Sequence, residues 1–103
     1  MRIEILTIED CPNSPAAERE VRRALDDLGI RADPVVRVIR TPEEAAATAF
    51  AGSPTILVDG VDAIAGSAPI TDLACRVYLT PAGPAGAPTA EMLIPAIRAS
   101  RGT

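Results

Sequence analysis

Apolar and polar positions in this chain change period several times, and each change marks a new element. Residues 2–8 place Ile3, Ile5, Leu6 and Ile8 in imperfect alternation, the pattern of a short strand covered on both faces. From 15 to 28 the period lengthens: Ala17, Val21, Ala24, Leu25 and Leu28 recur at helical steps, and Glu18 and Arg22 stand four apart on the opposite face. Pro15 suits a first helical position after Ser14 as a cap, and Gly29 suits a left-handed stop.

Val35, Val36, Val38 and Ile39 form a second strand-like run. Thr41 and Glu44 have the spacing of a capping box with Pro42 at the first helical position, so a helix is expected from there to about Phe50, ended by Gly52. Thr55 to Val58 reads as a third strand, Asp59-Gly60 as a tight hairpin turn, and Val61 to Ala65 as a returning fourth strand. Leu73 to Leu79 is an apolar island that fits either a short strand or a packed loop, and the Pro- and Gly-rich stretch 80–88 reads as a flexible or extended connection. Residues 89–100 carry Leu93, Ile94 and Ile97 at helical spacing, with Pro95 either kinking that helix or marking a later start. The order β-α-β-α-β-β-α predicts an α/β fold in a single domain over residues 1–103. A right-handed crossover makes the first two strands parallel. The hairpin adds two antiparallel strands, giving a four-stranded mixed sheet with helices on both faces.

Composition narrows the chemistry. Phe50 and Tyr78 are the only aromatic residues, so branched aliphatics must build the core and no stacking platform for single-stranded nucleic acid exists. The net charge of −4, with no basic cluster, argues against nucleic acid as a partner. No run approaches the length of a membrane span and the first residues do not resemble a signal peptide, so a cytoplasmic protein with reduced thiols is expected. The chain has no histidine, which excludes His-based triads and His–metal sites within it. No Gly-rich phosphate loop follows a strand, and no cofactor is expected.

Cys11 is the residue where pattern and chemistry meet. It lies between the first strand and the first helix, where the positive end of the helix dipole and its free N–H groups favour a thiolate. Glu9 and Asp10 beside it act in the opposite sense, because like charge disfavours an anion. Ser14 could donate a hydrogen bond to the thiolate or serve only as the helix cap. Cys75, ten residues beyond the returning strand, either packs as a small apolar residue or reaches Cys11 from the same end of the sheet, with Arg76 beside it to stabilise a thiolate.

Strand, Cys11-Pro12-Asn13-Ser14 and helix together resemble the active-site turn of the thioredoxin-like superfamily, and Gly52-Ser53-Pro54-Thr55 before a strand resembles its cis-proline loop. The segments agree in order and spacing over most of residues 1–66 and the last helix. Small bacterial thioredoxin-like proteins of about this length share the acidic-Cys-Pro-Asn start, the Gly-Ser-Pro-Thr-Ile-Leu-Val-Asp-Gly centre and a later Cys-Arg-Val-Tyr. Some of these are labelled alkylmercury lyase, and some relatives look like selenoproteins. The resemblance implies a cis Pro54 beside Cys11, with Ser53, Pro54 and Pro12 on the substrate side and the backbone of the residue before Pro54 free to pair with an extended substrate. The sequence departs from the dithiol thioredoxins at Ser14, which stands where a second cysteine would resolve a mixed disulfide. Cys-x-x-Ser sites also occur in monothiol glutaredoxins, but their pattern around the cysteine is not matched.

Three functions follow as expectations. The first is thiol-based redox exchange, with Cys11 attacking a disulfide-bearing protein or a small thiol or peroxide compound, and Cys75 resolving the product. The second is mercury or other soft-metal handling by Cys11 and Cys75, with Asp10 as the nearest proton donor for organomercurial cleavage. The third is a non-catalytic binding module that uses the same groove for a protein segment.

Overall fold

The computed structural model describes residues 1–101. The strand β1 (Ile3–Thr7) is central, with β2 (Val35–Val38) parallel on one side and β3 (Thr55–Val58) antiparallel on the other; β4 (Val61–Asp62) closes the order β2-β1-β3-β4. Helices α1 (Ser14–Asp27), α2 (Pro42–Ala46) and α3 (Ala90–Ser100) connect and cover this sheet, and a separate two-stranded hairpin, β5 (Tyr78–Thr80) with β6 (Gly83–Ala85), lies between β4 and α3. The expected four-stranded mixed sheet with helices is present.

The side-chain alternation of the two central strands divides the core. Ile3, Ile5, Ile56 and Val58 point to α1 and α3, where they meet Val21, Ala24, Leu25, Leu93 and Ile97. Leu6 and Leu57 point the other way, onto Ile39, Ala45 and Phe50. The helical stripe of α1 buries Ala17, Val21, Ala24 and Leu25. Its end is a full Schellman arrangement: Gly29 adopts φ 66°, Gly29 N–H bonds to Asp26 C=O and Ile30 N–H to Leu25 C=O.

Four expectations need correction. The position before α1 is Asn13, which makes no side-chain cap, and Ser14 is already helical. Helix α2 stops at Ala46 instead of near Phe50, because Thr48 turns back to Ala45 and accepts Phe50 N–H, winding the chain out of the helix. Thr41 does cap it by accepting from Glu44 N–H, but the Glu44 carboxylate takes Arg40 N–H, one residue before the cap. The returning strand β4 has two residues instead of five, since Asp62 accepts the N–H of Ile64 and bends the chain away. Of the two readings of 80–88, flexible or extended, the structure has the extended one: Gly83 and Pro84 pair with Thr80 and Leu79 in the second hairpin. Pro95 sits inside α3, which begins at Ala90 under a Thr89 cap, so it does not delay the start.

The face that α3 covers should therefore matter to stability in proportion to burial. Leu93→Ala, at a fully buried position, is expected to cost about 2–5 kcal/mol in urea unfolding. Leu79→Ala, at a position 78% exposed, should change stability by less than about 0.5 kcal/mol.

Candidate active site

Register places the site. Leu6 of β1 pairs with Thr55 at the start of β3, so the chain leaving β1 and the chain entering β3 lie side by side. After Ile8, Asp10 takes a left-handed conformation (φ 56°), which aspartate tolerates better than most residues. Cys11 follows, 9% exposed, and its carbonyl accepts the N–H of Ser14 at 3.3 Å. Pro12 is exposed and Ser14 half-buried.

The Ser53–Pro54 peptide is cis. Ser53 and Pro54 are both fully buried, and neither offers a surface to solvent. The Ser53 hydroxyl oxygen accepts the N–H of Ile8 at 3.0 Å, which ties this loop to the segment that leads into Cys11. The backbone of Ser53 is not free to receive a substrate. Its N–H donates to Ala74 C=O at 2.8 Å and its C=O accepts from Arg76 N–H at 2.9 Å, so that Ser53 and Cys75 form an isolated parallel bridge. Residues 74–76 thus lie as a strap along the cis-proline loop.

Arg76 anchors that strap. Its guanidinium is almost wholly buried, bonds to Asp62 at 2.8 Å and to Ile64 C=O at 3.1 Å, and lies 4.6 Å from the centre of the Tyr78 ring. The Tyr78 hydroxyl donates to Pro54 C=O. Close approach is possible because residue 52 is glycine. It sits at φ 109°, and a side-chain carbon there would meet Arg76 Cβ at 2.8 Å. Burial pushes the Tyr78 phenol well above its ordinary range, the nearby Arg76 charge only partly opposing it. A second close approach lies on the Cys11 side: a side-chain carbon on Gly86 would fall 2.3 Å from Asn13.

The structure thus brings Cys75 to the cis-proline loop, on the backbone of Ser53, while leaving it exposed; both cysteines are free thiols. Sequence reasoning named Ser53 and Pro54 but missed Gly52, Asp62 and Tyr78 as parts of the same assembly, and read Arg76 as a partner for Cys75 instead of for Asp62. An arginine among apolar residues in the 73–79 island was the available signal, since a buried guanidinium demands a carboxylate. No cluster of three or more potential metal ligands occurs among the described residues, and no helix among them is long and apolar enough to cross a membrane.

A family model described as a thioredoxin domain matches residues 1–78. No curated protein and no solved structure matches the chain.

Arg76 and Asp62 should behave as one unit. Arg76→Met or Asp62→Asn alone is expected to cost about 3 kcal/mol, because each leaves a charge or a donor without its partner. The double substitution should cost clearly less than the sum in urea unfolding. Tyr78, the only tyrosine, can be read directly by absorbance near 295 nm. It should form no tyrosinate at pH 10–11 in the folded protein. The phenol binds its proton more tightly folded than unfolded, so its contribution to stability is complete below the unfolded pKa of about 10 and is lost as pH rises beyond it. Tyr78→Phe should flatten that alkaline loss.

Proposed function

Because the chain belongs to the thioredoxin domain family, we propose that it carries out thiol–disulfide exchange, with Cys11 as the attacking thiol and Cys75 as the resolving one. The observation that carries this reading is the pairing of Cys75 with Ser53 on the cis-proline loop, whose hydroxyl holds Ile8 three residues before Cys11. Ser14 cannot resolve a mixed disulfide, and Cys75 is the only other thiol in the chain.

The chemistry balances in two displacements. The Cys11 thiolate attacks one sulfur of a substrate disulfide; the S–S bond breaks, and the other sulfur leaves as a thiolate and takes up a proton. The Cys75 thiolate then attacks Cys11 Sγ, expels the second substrate thiol and closes a Cys11–Cys75 disulfide. Two electrons pass from the protein dithiol to the substrate, and an external dithiol must return them for turnover. Ser14, at the first position of α1 with its N–H on the Cys11 carbonyl, shapes the turn that carries Cys11.

The test uses both cysteine variants. Cys11→Ser should abolish disulfide reduction. Cys75→Ala should retain the first displacement and accumulate a mixed disulfide on Cys11, visible as a mass increase in the intact protein, while catalytic turnover falls at least about tenfold because resolution is lost. Turnover that survives Cys11→Ser would exclude this mechanism. Slow alkylation of Cys11 with no mixed disulfide would favour the binding-module reading instead.

A further inference from the structure

Ser53 is the position at which an extended substrate could add its backbone to this sheet end, and the chain has filled that position itself. Both backbone groups of Ser53 are taken by residues 74–76, and the strap is held by the buried Arg76–Asp62 pair and by the Tyr78 hydroxyl on Pro54. Pro54 is covered as well. A reaction partner must therefore approach Cys11 from another side.

A shallow groove of about 470 Å³ opens on that other side, between the Cys11 turn and the edge strand β2. Cys11 lines it, with Ile8, Pro15, Val36 and Val38 supplying apolar surface. Val36 is 41% exposed. Among the described residues, the charged ones lining the groove are all acidic: Glu9, Asp10 and Glu18. Glu9 pairs with Arg40 at 3.2 Å and Glu18 with Arg22 at 3.2 Å, so both are partly neutralised from outside the groove. Asp10, adjacent to the nucleophile and exposed, has no ion pair among the described residues.

We propose that this groove is the substrate site, and that it takes small disulfides with apolar arms that are neutral or positively charged, in preference to anionic disulfides or extended peptides. This rests on Cys11 being the nucleophile. Apolar arms gain from covering Val36, Val38 and Pro15, and a positive group gains from the uncompensated Asp10 carboxylate. A negative group, such as the carboxylates of oxidised glutathione, is repelled by Asp10, and by Glu9 and Glu18 to the extent that their arginine partners leave them charged.

The test follows the single-turnover reaction of Cys11 in the full chain carrying Cys75→Ala, with mixed-disulfide formation read by mass. The probes are cystamine, bis(2-hydroxyethyl) disulfide and 3,3′-dithiodipropionate. Each rate is divided by that of the same probe with 2-mercaptoethanol, which removes intrinsic reactivity. At low salt, cystamine should be favoured over dithiodipropionate roughly fivefold, and the preference should shrink in 0.5 M salt. Asp10→Asn, which keeps a residue tolerant of the left-handed backbone, should reduce the preference to about twofold or less. Val36→Arg, at an exposed groove position that leaves the core untouched, should invert it. A linear decapeptide whose central cysteine is disulfide-linked to 2-mercaptoethanol should react no faster than bis(2-hydroxyethyl) disulfide after the same correction. Equal corrected rates for the three charges, no response to Val36→Arg, or a peptide favoured about tenfold or more would each overturn the groove assignment. Failure of the nucleophile reading looks different: Cys11 would then be inert to all the probes in the folded protein while reacting once unfolded in urea.

Discussion

The N–H and C=O of Ser53 hold residues 74–76, its hydroxyl oxygen holds the exit of β1, and the site is assembled around these three bonds. The hydroxyl oxygen takes Ile8 N–H at the exit of β1; the backbone takes Ala74 C=O and Arg76 N–H. A wholly buried residue must satisfy its polar groups inside the protein or lose about 1–3 kcal/mol for each group left unpaired. That requirement locks the Cys11 approach, the cis-proline loop and the strap into one relative position. Gly52 makes the arrangement possible by leaving room for Arg76, and the Arg76–Asp62 pair closes it from the far side.

The strap changes what the thioredoxin-like geometry means for this chain. A loop whose backbone is open can read an extended polypeptide by strand addition; here the same groups are already satisfied within the molecule. What is left beside Cys11 is a groove with apolar surface and acidic residues, bounded by the edge valines of β2. The strap also carries Cys75, which bridges to Ser53 on the cis-proline loop.

The framework was legible because it is built from local rules. Ala17, Val21, Ala24 and Leu25 repeat at the helical period, Gly29 ends that helix, and Thr41 with Pro42 opens the next, each through bonds between residues a few positions apart. The cis-proline loop and Cys11 could be named from short motifs for the same reason. The stretch 66–88 was not legible, because its structure comes from distant partners. Arg76 is ordered by Asp62, fourteen positions away, Tyr78 by Pro54, and the backbone of residues 74–76 by Ser53. Pro84 in a strand runs against local propensity, and its pairing with Leu79 overrides it.

The sequence by itself determined the order of the main elements, the parallel and antiparallel pairing of the central strands, and the placement of one thiol at a strand–helix junction. Periodicity and turn chemistry act within a few residues and do not wait for the rest of the chain. Only the tertiary structure decided that the cis-proline loop is already occupied, that Arg76 serves as a buried anchor, and that a groove lined by Cys11 opens beside β2. Each of these depends on which polar groups remain unpaired once the sheet has formed, and that is known only when residues far apart in sequence have met.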